Sequence, residues 1–184
     1  MTGEEIITQT VEILRSGGTI LYPTDTIWGI GCDARNPEAV ERIYAIKERD
    51  RSKSMLVLAD SLQLSDGVEE SRPTTYILPM SVWRPLLGDG VAANLPAADG
   101  SLGIRVPRHA FCQEVIRRLG APLVSTSANF SGRPSPQTYS EIEVGLRERV
   151  DYCVPPLAEF ASAETRGSRI VRVNANGSVE VIRP

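Results

Sequence analysis

"LVSTSANFSG", residues 123–132, starts as a buried strand and then breaks into small hydroxyl and amide residues before a glycine. A strand that only fills a core has no reason to end in Ser125, Thr126, Ser127 and Asn129. Upstream, "IKERDRSKS", residues 46–54, sets Lys47, Arg49 and Lys53 at a passage from helix to strand. The sheet that carries these stretches is legible around them. "TILY" (19–22), "MLVL" (55–58), "TYIL" (75–78), "SLGIRVP" (101–107) and "APLVSTSAN" (121–129) read as strands, and helical stripes alternate with them. Ile7, Val11 and Leu14 mark a helix over 4–15, closed by Gly17 and Gly18. Asn36 and Pro37 cap and open a second, running to about Ile46 on Val40, Ile43 and Tyr44. Phe111, Val115 and Leu119 mark a third, ended by Gly120. Ile142, Leu146 and Val150 predict a fourth over 138–150. The polar segment between "MLVL" and "TYIL" has only a weak helical pattern. "RIVRVNANGSVEVI" (169–182) is two β-rich runs about an Asn-Gly turn, a hairpin signal. With no repeats or linkers, the pattern predicts α/β architecture: a single domain over 1–184, a twisted mixed open sheet with flanking helices.

The chain has 184 residues, 41% hydrophobic and 23% charged, in the range of a soluble globular domain. Its net charge of −3 gives no overall pull toward nucleic acid or an anionic membrane. Cys32, Cys112 and Cys153 are odd in number and lack metal-ligand spacing, so they read as buried thiols of a reducing cytoplasm. "MTGEEIITQ" has neither the basic flank nor the apolar core of a signal peptide, and no apolar run reaches membrane-spanning length.

Common catalytic constellations are missing. His109 is the sole histidine, read as a capping or surface residue, and no Ser-His-Asp set, zinc cluster or Gly-Lys-Ser/Thr phosphate loop occurs. "GIGCDA" lacks a third glycine and reads as lacking the strand–loop–helix context of a dinucleotide fingerprint. The chemistry gathers instead at strand ends, where open α/β sheets bind ligands. "LYPTDT" puts Thr24, Asp25 and Thr26 there. In extended chain i and i+2 share a side, which pairs Lys47 with Arg49 and Ser127 with Asn129. Two cations beside hydroxyl and amide donors suit a phosphate chain. Arg105, inside an apolar strand, needs an acidic partner or an anionic ligand. Each piece also has a plainer reading: a solvated charged loop, an N-cap and turn, a core ion pair. Composition and spacing reach an anion-binding α/β domain and stop there.

Together the pieces resemble the YrdC-like family. "LYPTDTIWGIGCDA" is similar to its opening Tyr-Pro-Thr-Glu-Thr and aromatic-Gly-x-Gly motif, "IKER" to its Lys-x-Arg, "LGIRVPRH" to its arginine-bearing strand and "STSANFSG" to its Ser-x-Asn. The resemblance covers essentially the whole chain and implies a YrdC/RibB-like fold. It also implies a threonylcarbamoyl-AMP synthase reaction, joining L-threonine, bicarbonate and ATP with release of pyrophosphate. A partner threonylcarbamoyl transferase then modifies tRNA beside the anticodon. On this resemblance Lys47, Arg49, Ser127 and Asn129 are the catalytic group, with Lys47, Arg49, Asn129 and Gln137 on ATP. Thr24, Thr26, Lys53, Arg105, Ser127 and Ser168 hold threonine and carbamate. Magnesium would ride on the phosphates and water, with no protein metal site, and Lys47 and Arg49 are both expected to be solvent-accessible.

The chain departs from the family pattern at Asp50 and Ser54, where prolines are usual, and at Gln137 and Arg169. The alternative is a divergent paralogue that binds nucleotide, double-stranded RNA or tRNA without efficient synthesis. A sequence pI near 5.3 argues against strong binding to a phosphate backbone.

Overall fold

The first helix begins where the sequence satisfies its orphan N–H groups. Thr2 Oγ1 accepts from Glu5 N at 3.3 Å while Thr2 N donates to Glu5 Oε2 at 2.7 Å, a capping box opening α1 (Gly3–Arg15). Asn36 Oδ1 accepts from Ala39 N at 2.9 Å and Pro37 occupies the first turn of α2 (Pro37–Lys47). The computed structural model describes residues 1–62, 72–161 and 166–184. Most of the weakly helical segment between the third and fourth strands lies outside the described residues.

The strands are β1 (Ile20–Tyr22), β2 (Gly29–Gly31), β3 (Leu56–Leu58), β4 (Thr74–Leu78), β5 (Leu102–Arg105), β6 (Leu123–Ser127), β7 (Tyr152–Cys153), β8 (Arg169–Val173) and β9 (Val179–Arg183). They form one mixed sheet of nine in the order β7-β1-β2-β6-β3-β5-β4-β8-β9. Pairs β1/β7, β3/β5 and β4/β8 are parallel and the rest antiparallel. Strand alternation divides the core in two. Leu21, Val57 and Val124 point to the side of α2 and of α3 (Met80–Leu87). Ile20, Tyr22, Leu58 and Leu123 point to the side of α1 and α4 (Ala110–Leu119), with Ile6, Phe111 and Val115. Helices therefore cover both faces of a twisted open sheet, as the alternating pattern predicts.

The terminal hairpin closes at Asn176-Gly177, where Gly177 has φ +81°. The differences from the sequence reading have local causes. Residues 138–150 do not form one helix. A 3-10 turn at Tyr139–Glu141 gives way to extended Ile142 and then a single turn, α5 (Val144–Arg147). Side-chain bonds at its start compete with helix: Thr138 and Ser140 hydroxyls lie 3.0 Å apart, and Gln137 N donates to Glu141 Oε2 at 2.8 Å. Ile142 and Leu146 are still buried. Helix α3 escapes the sequence reading because Pro85 lies inside it. The glycines of "GIGCDA" lie within β2 itself and not in a loop between strand and helix, so the motif lacks the context of a dinucleotide fingerprint.

His109 holds the N-cap position of α4, as expected, with its carbonyl accepting from Gln113 N at 3.0 Å, but it is not a surface residue. It stands at the start of α4 without a side-chain capping bond, buried, with Nε2 3.1 Å from the Phe160 carbonyl oxygen. Burial holds its pKa below the ordinary value. The three cysteines are free thiols, Cys32 and Cys112 buried and Cys153 only partly so.

Candidate active site

A cavity of about 570 Å³, within the usual size of a small-ligand site, opens between β2, β6, β5, β4, β8 and the loop 49–55. It brings together Thr26, Arg49, Lys53, Arg105, Ser127 and Ser168 from the residues singled out in the sequence. Arg172 and Arg183, from the terminal hairpin, also line it, and the sequence reading missed both. Their signal was the strand period. Ile170 and Arg172 share one face of β8, and Arg183 stands opposite Ile170 in the β9 register.

The charge of the lining is one-sided. Among the described residues, Arg49, Lys53, Arg105, Arg172 and Arg183 share the lining with one carboxylate, Asp99. Asp99 accepts from Ser101 N and Oγ at 2.9 and 2.6 Å, and these bonds hold its carboxyl below the ordinary range. Arg49 is half-buried and anchored by backbone, with Nε donating to Lys53 O at 2.9 Å and Nη2 to Ser54 O at 2.8 Å. It makes no ion pair among the described residues. The acceptors are carbonyls, so Ser54 in place of proline keeps this anchor. Asp50 orders the same loop by accepting from Ser52 N at 2.8 Å. Arg183 donates from Nε to Ser168 O at 2.9 Å, and the Ser168 hydroxyl lies 2.8 Å from that of Thr75. Burial, then the Arg105 charge, lower the Arg183 pKa.

Arg105 has an acidic partner: its Nη1 donates to Asp25 Oδ1, and Asp25 Oδ2 accepts from Arg108 N at 2.9 Å. Asp25 thus orders the loop after β1. Among the described residues Arg105 Nε is buried without a partner. Arg105 still reaches the cavity lining, with one edge committed to Asp25.

Four expected site residues do not line this cavity. Lys47 is fully buried, contrary to the expectation of a solvent-accessible ligand. It is the last residue of α2. Glu48 then takes the left-handed conformation (φ +52°), so Lys47 and Arg49 leave the chain on different sides and not as i, i+2 of a strand. Asn129 is turned into its own loop, with Nδ2 donating to Phe130 O at 3.0 Å and Arg133 O at 2.6 Å. Strand β6 ends at Ser127, so the strand alternation that paired Ser127 with Asn129 stops there. The Thr24 hydroxyl is used within its turn, donating to Ile27 O at 2.8 Å and accepting from Thr26 N at 3.0 Å. Thr24 and Gln137 line a second, smaller cavity of about 360 Å³, which shares Thr26 and Trp28 with the first. Among the described residues no three His, Cys, Asp or Glu side chains come together to hold a metal, and no helix is long and apolar enough to cross a membrane. Asp99, already tied to Ser101, does not fit a protein-held magnesium ion, which prefers an open octahedral oxygen shell.

Known proteins resemble this chain in sequence and in fold. A threonylcarbamoyl-AMP synthase of Pseudomonas fluorescens is 36% identical over 152 residues, covering 79% of this chain and 82% of the relative. One of Stutzerimonas stutzeri is 29% identical over the full length of both chains. The crystal structure of Escherichia coli YciO superposes with a TM-score of 0.71 at 25% identity, covering 99% of this chain and 89% of that one. Pyrococcus abyssi Sua5 complexed with L-threonine shares the fold with a TM-score of 0.73 at 20% identity, covering 100% of this chain and 55% of that one. The Sua5/YciO/YrdC family model, described as "Telomere recombination", matches residues 12–184, and the chain belongs to that family.

Proposed function

We propose that the chain is a threonylcarbamoyl-AMP synthase, converting L-threonine, bicarbonate and ATP to threonylcarbamoyl-AMP, pyrophosphate and water. The observation that carries the reading is the cavity in which, among the described residues, five cations share the lining with one carboxylate in a chain of net charge −3. The names of the relatives give it its substrates. The reaction needs such a site. Threonine amine and CO2 give a carbamate anion, whose oxygen must attack the α-phosphorus of an already anionic triphosphate as pyrophosphate leaves. Fixed cations lower that repulsion, and catalysis is then positioning and charge neutralisation without a protein nucleophile. The buried sole histidine is no obstacle to this chemistry.

In this reading Arg49, Lys53 and Arg183 take the phosphates. Arg105 offers its remaining edge to the threonine carboxylate, with Thr26, Ser127 and Ser168 placing threonine and carbamate. Magnesium enters bound to the phosphates and water, and no step is assigned to it. The product passes to a threonylcarbamoyl transferase acting on tRNA in the cytoplasm. Pyrophosphate release with ATP, magnesium and bicarbonate, with and without L-threonine, tests the reading, with serine as control. Release that requires both threonine and bicarbonate, and that falls at least tenfold in Arg49→Ala, is expected. ATP binding without threonine-dependent release would instead favour the divergent paralogue.

A further inference from the structure

The described residues leave one charged side chain out of this chemistry in an unusual place. Lys47 has no exposed surface, and no carboxylate pairs with it among the described residues. Its Nζ donates to two backbone carbonyl oxygens, those of Ser127 and of Asn129, the latter at 2.5 Å. The same two residues form the turn that ends β6, where Asn129 N donates to Ser127 O at 2.9 Å. The turn is tied to α2 a second time, by Ser131 N donating to Lys47 O at 2.9 Å. A carbonyl-rich turn at a strand end has acceptors that no ladder satisfies, and an amine with several rotatable donors meets two at once. The planar guanidinium fork of arginine suits carboxylates and phosphates better than two converging carbonyls. The chain is rich in arginine and has just two lysines, Lys47 and Lys53, and one of the two stands here.

We infer that Lys47 is a positioning residue that never touches substrate: its amine clips the Ser127–Asn129 turn to the end of α2. The clip fixes Ser127 in the cavity wall and, across the left-handed Glu48, aims Arg49 into the same cavity. One buried group thus sets the relation between the hydroxyl wall and the loop of cations. The inference rests on the proposed ATP-dependent reaction and assigns a role there that differs from phosphate binding.

The two lysines make the test internal to the wild-type protein. Brief acetylation, read by mass spectrometry with and without ATP, should label Lys53 readily and label it less when ATP is bound. Lys47 should label at least tenfold more slowly in both conditions. Lys47→Met should lose about a hundredfold in kcat/KM through displacement of the wall. Its ATP affinity should keep the wild-type dependence on salt, whereas Arg49→Ala, which removes a phosphate contact, should flatten it. If Lys47→Met does not fold, the wild-type labelling decides. Rapid labelling of Lys47 that ATP suppresses, or a flattened salt dependence in Lys47→Met, overturns the inference and leaves the proposed function standing. Wild-type protein that binds no ATP removes the function and the inference together.

Discussion

Replacing Asp25 by alanine should be the most damaging single change at the rim of the cavity. The side chains of Asp25 and Arg105 are 7% and 3% exposed, and they join the loop after β1 to the end of β5, 80 residues away. Asp25→Ala leaves the guanidinium buried with Nη1 unpaired beside an Nε already without a partner, and it takes the acceptor from Arg108 N. Removing one member of a buried pair costs about 3–5 kcal/mol, because the remaining charge stays desolvated. Set against a typical total of roughly 5–15 kcal/mol, that is a large share of the stability. Urea unfolding should give this loss with an unchanged slope, and melting should fall by roughly 6–20 °C. Arg105→Met alone should also destabilise. The double variant Asp25→Leu with Arg105→Met removes both charges and should return to within about 1–2 kcal/mol of wild type. A coupling energy below about 0.5 kcal/mol in this cycle, or an Asp25→Ala protein that melts with the wild type, refutes the reasoning.

Two further outcomes follow from the packing around β6. A side chain at Gly31 would collide with the backbone oxygen of Val124, so Gly31→Ala should push β2 from β6, cost about 1–3 kcal/mol by denaturant unfolding and weaken activity. Burial, and less so the Arg49 charge, press the Lys47 pKa down from 10.5 to about 7. Between those values the unfolded chain binds the proton and the folded chain does not, so stability relative to Lys47→Met should rise with pH. The slope should approach about 1.4 kcal/mol per pH unit above pH 7. A flat difference in urea stability between pH 6 and 9 would contradict it.

The sheet was largely legible because its strands and helices carry clean periods and caps. Thr2, Asn36, Gly120 and Asn176-Gly177 all end or begin elements where their chemistry requires. The lost helix at 138–150 shows the limit of that reading. Ile142 and Leu146 keep their helical spacing and their burial while the backbone at Ile142 is extended and interrupts the helix. In the site, Arg49, Arg105, Ser127 and Ser168 were legible from residue type and the family pattern. The direction of Lys47 was not, because it depends on one positive φ at Glu48, a residue without the glycine signature of that conformation. Arg172 and Arg183 were hidden for another reason. Their place in the cavity depends on β8 pairing with β4, nearly a hundred residues earlier, and no local pattern encodes that partner.

Charge in this molecule is sorted by depth. Among the described residues the cavity lining carries five basic side chains and one carboxylate, in a chain of net charge −3. A compact triphosphate that reaches the mouth feels mainly the field focused within. The concentrated positive field is therefore on offer only to an anion small enough to enter the cavity.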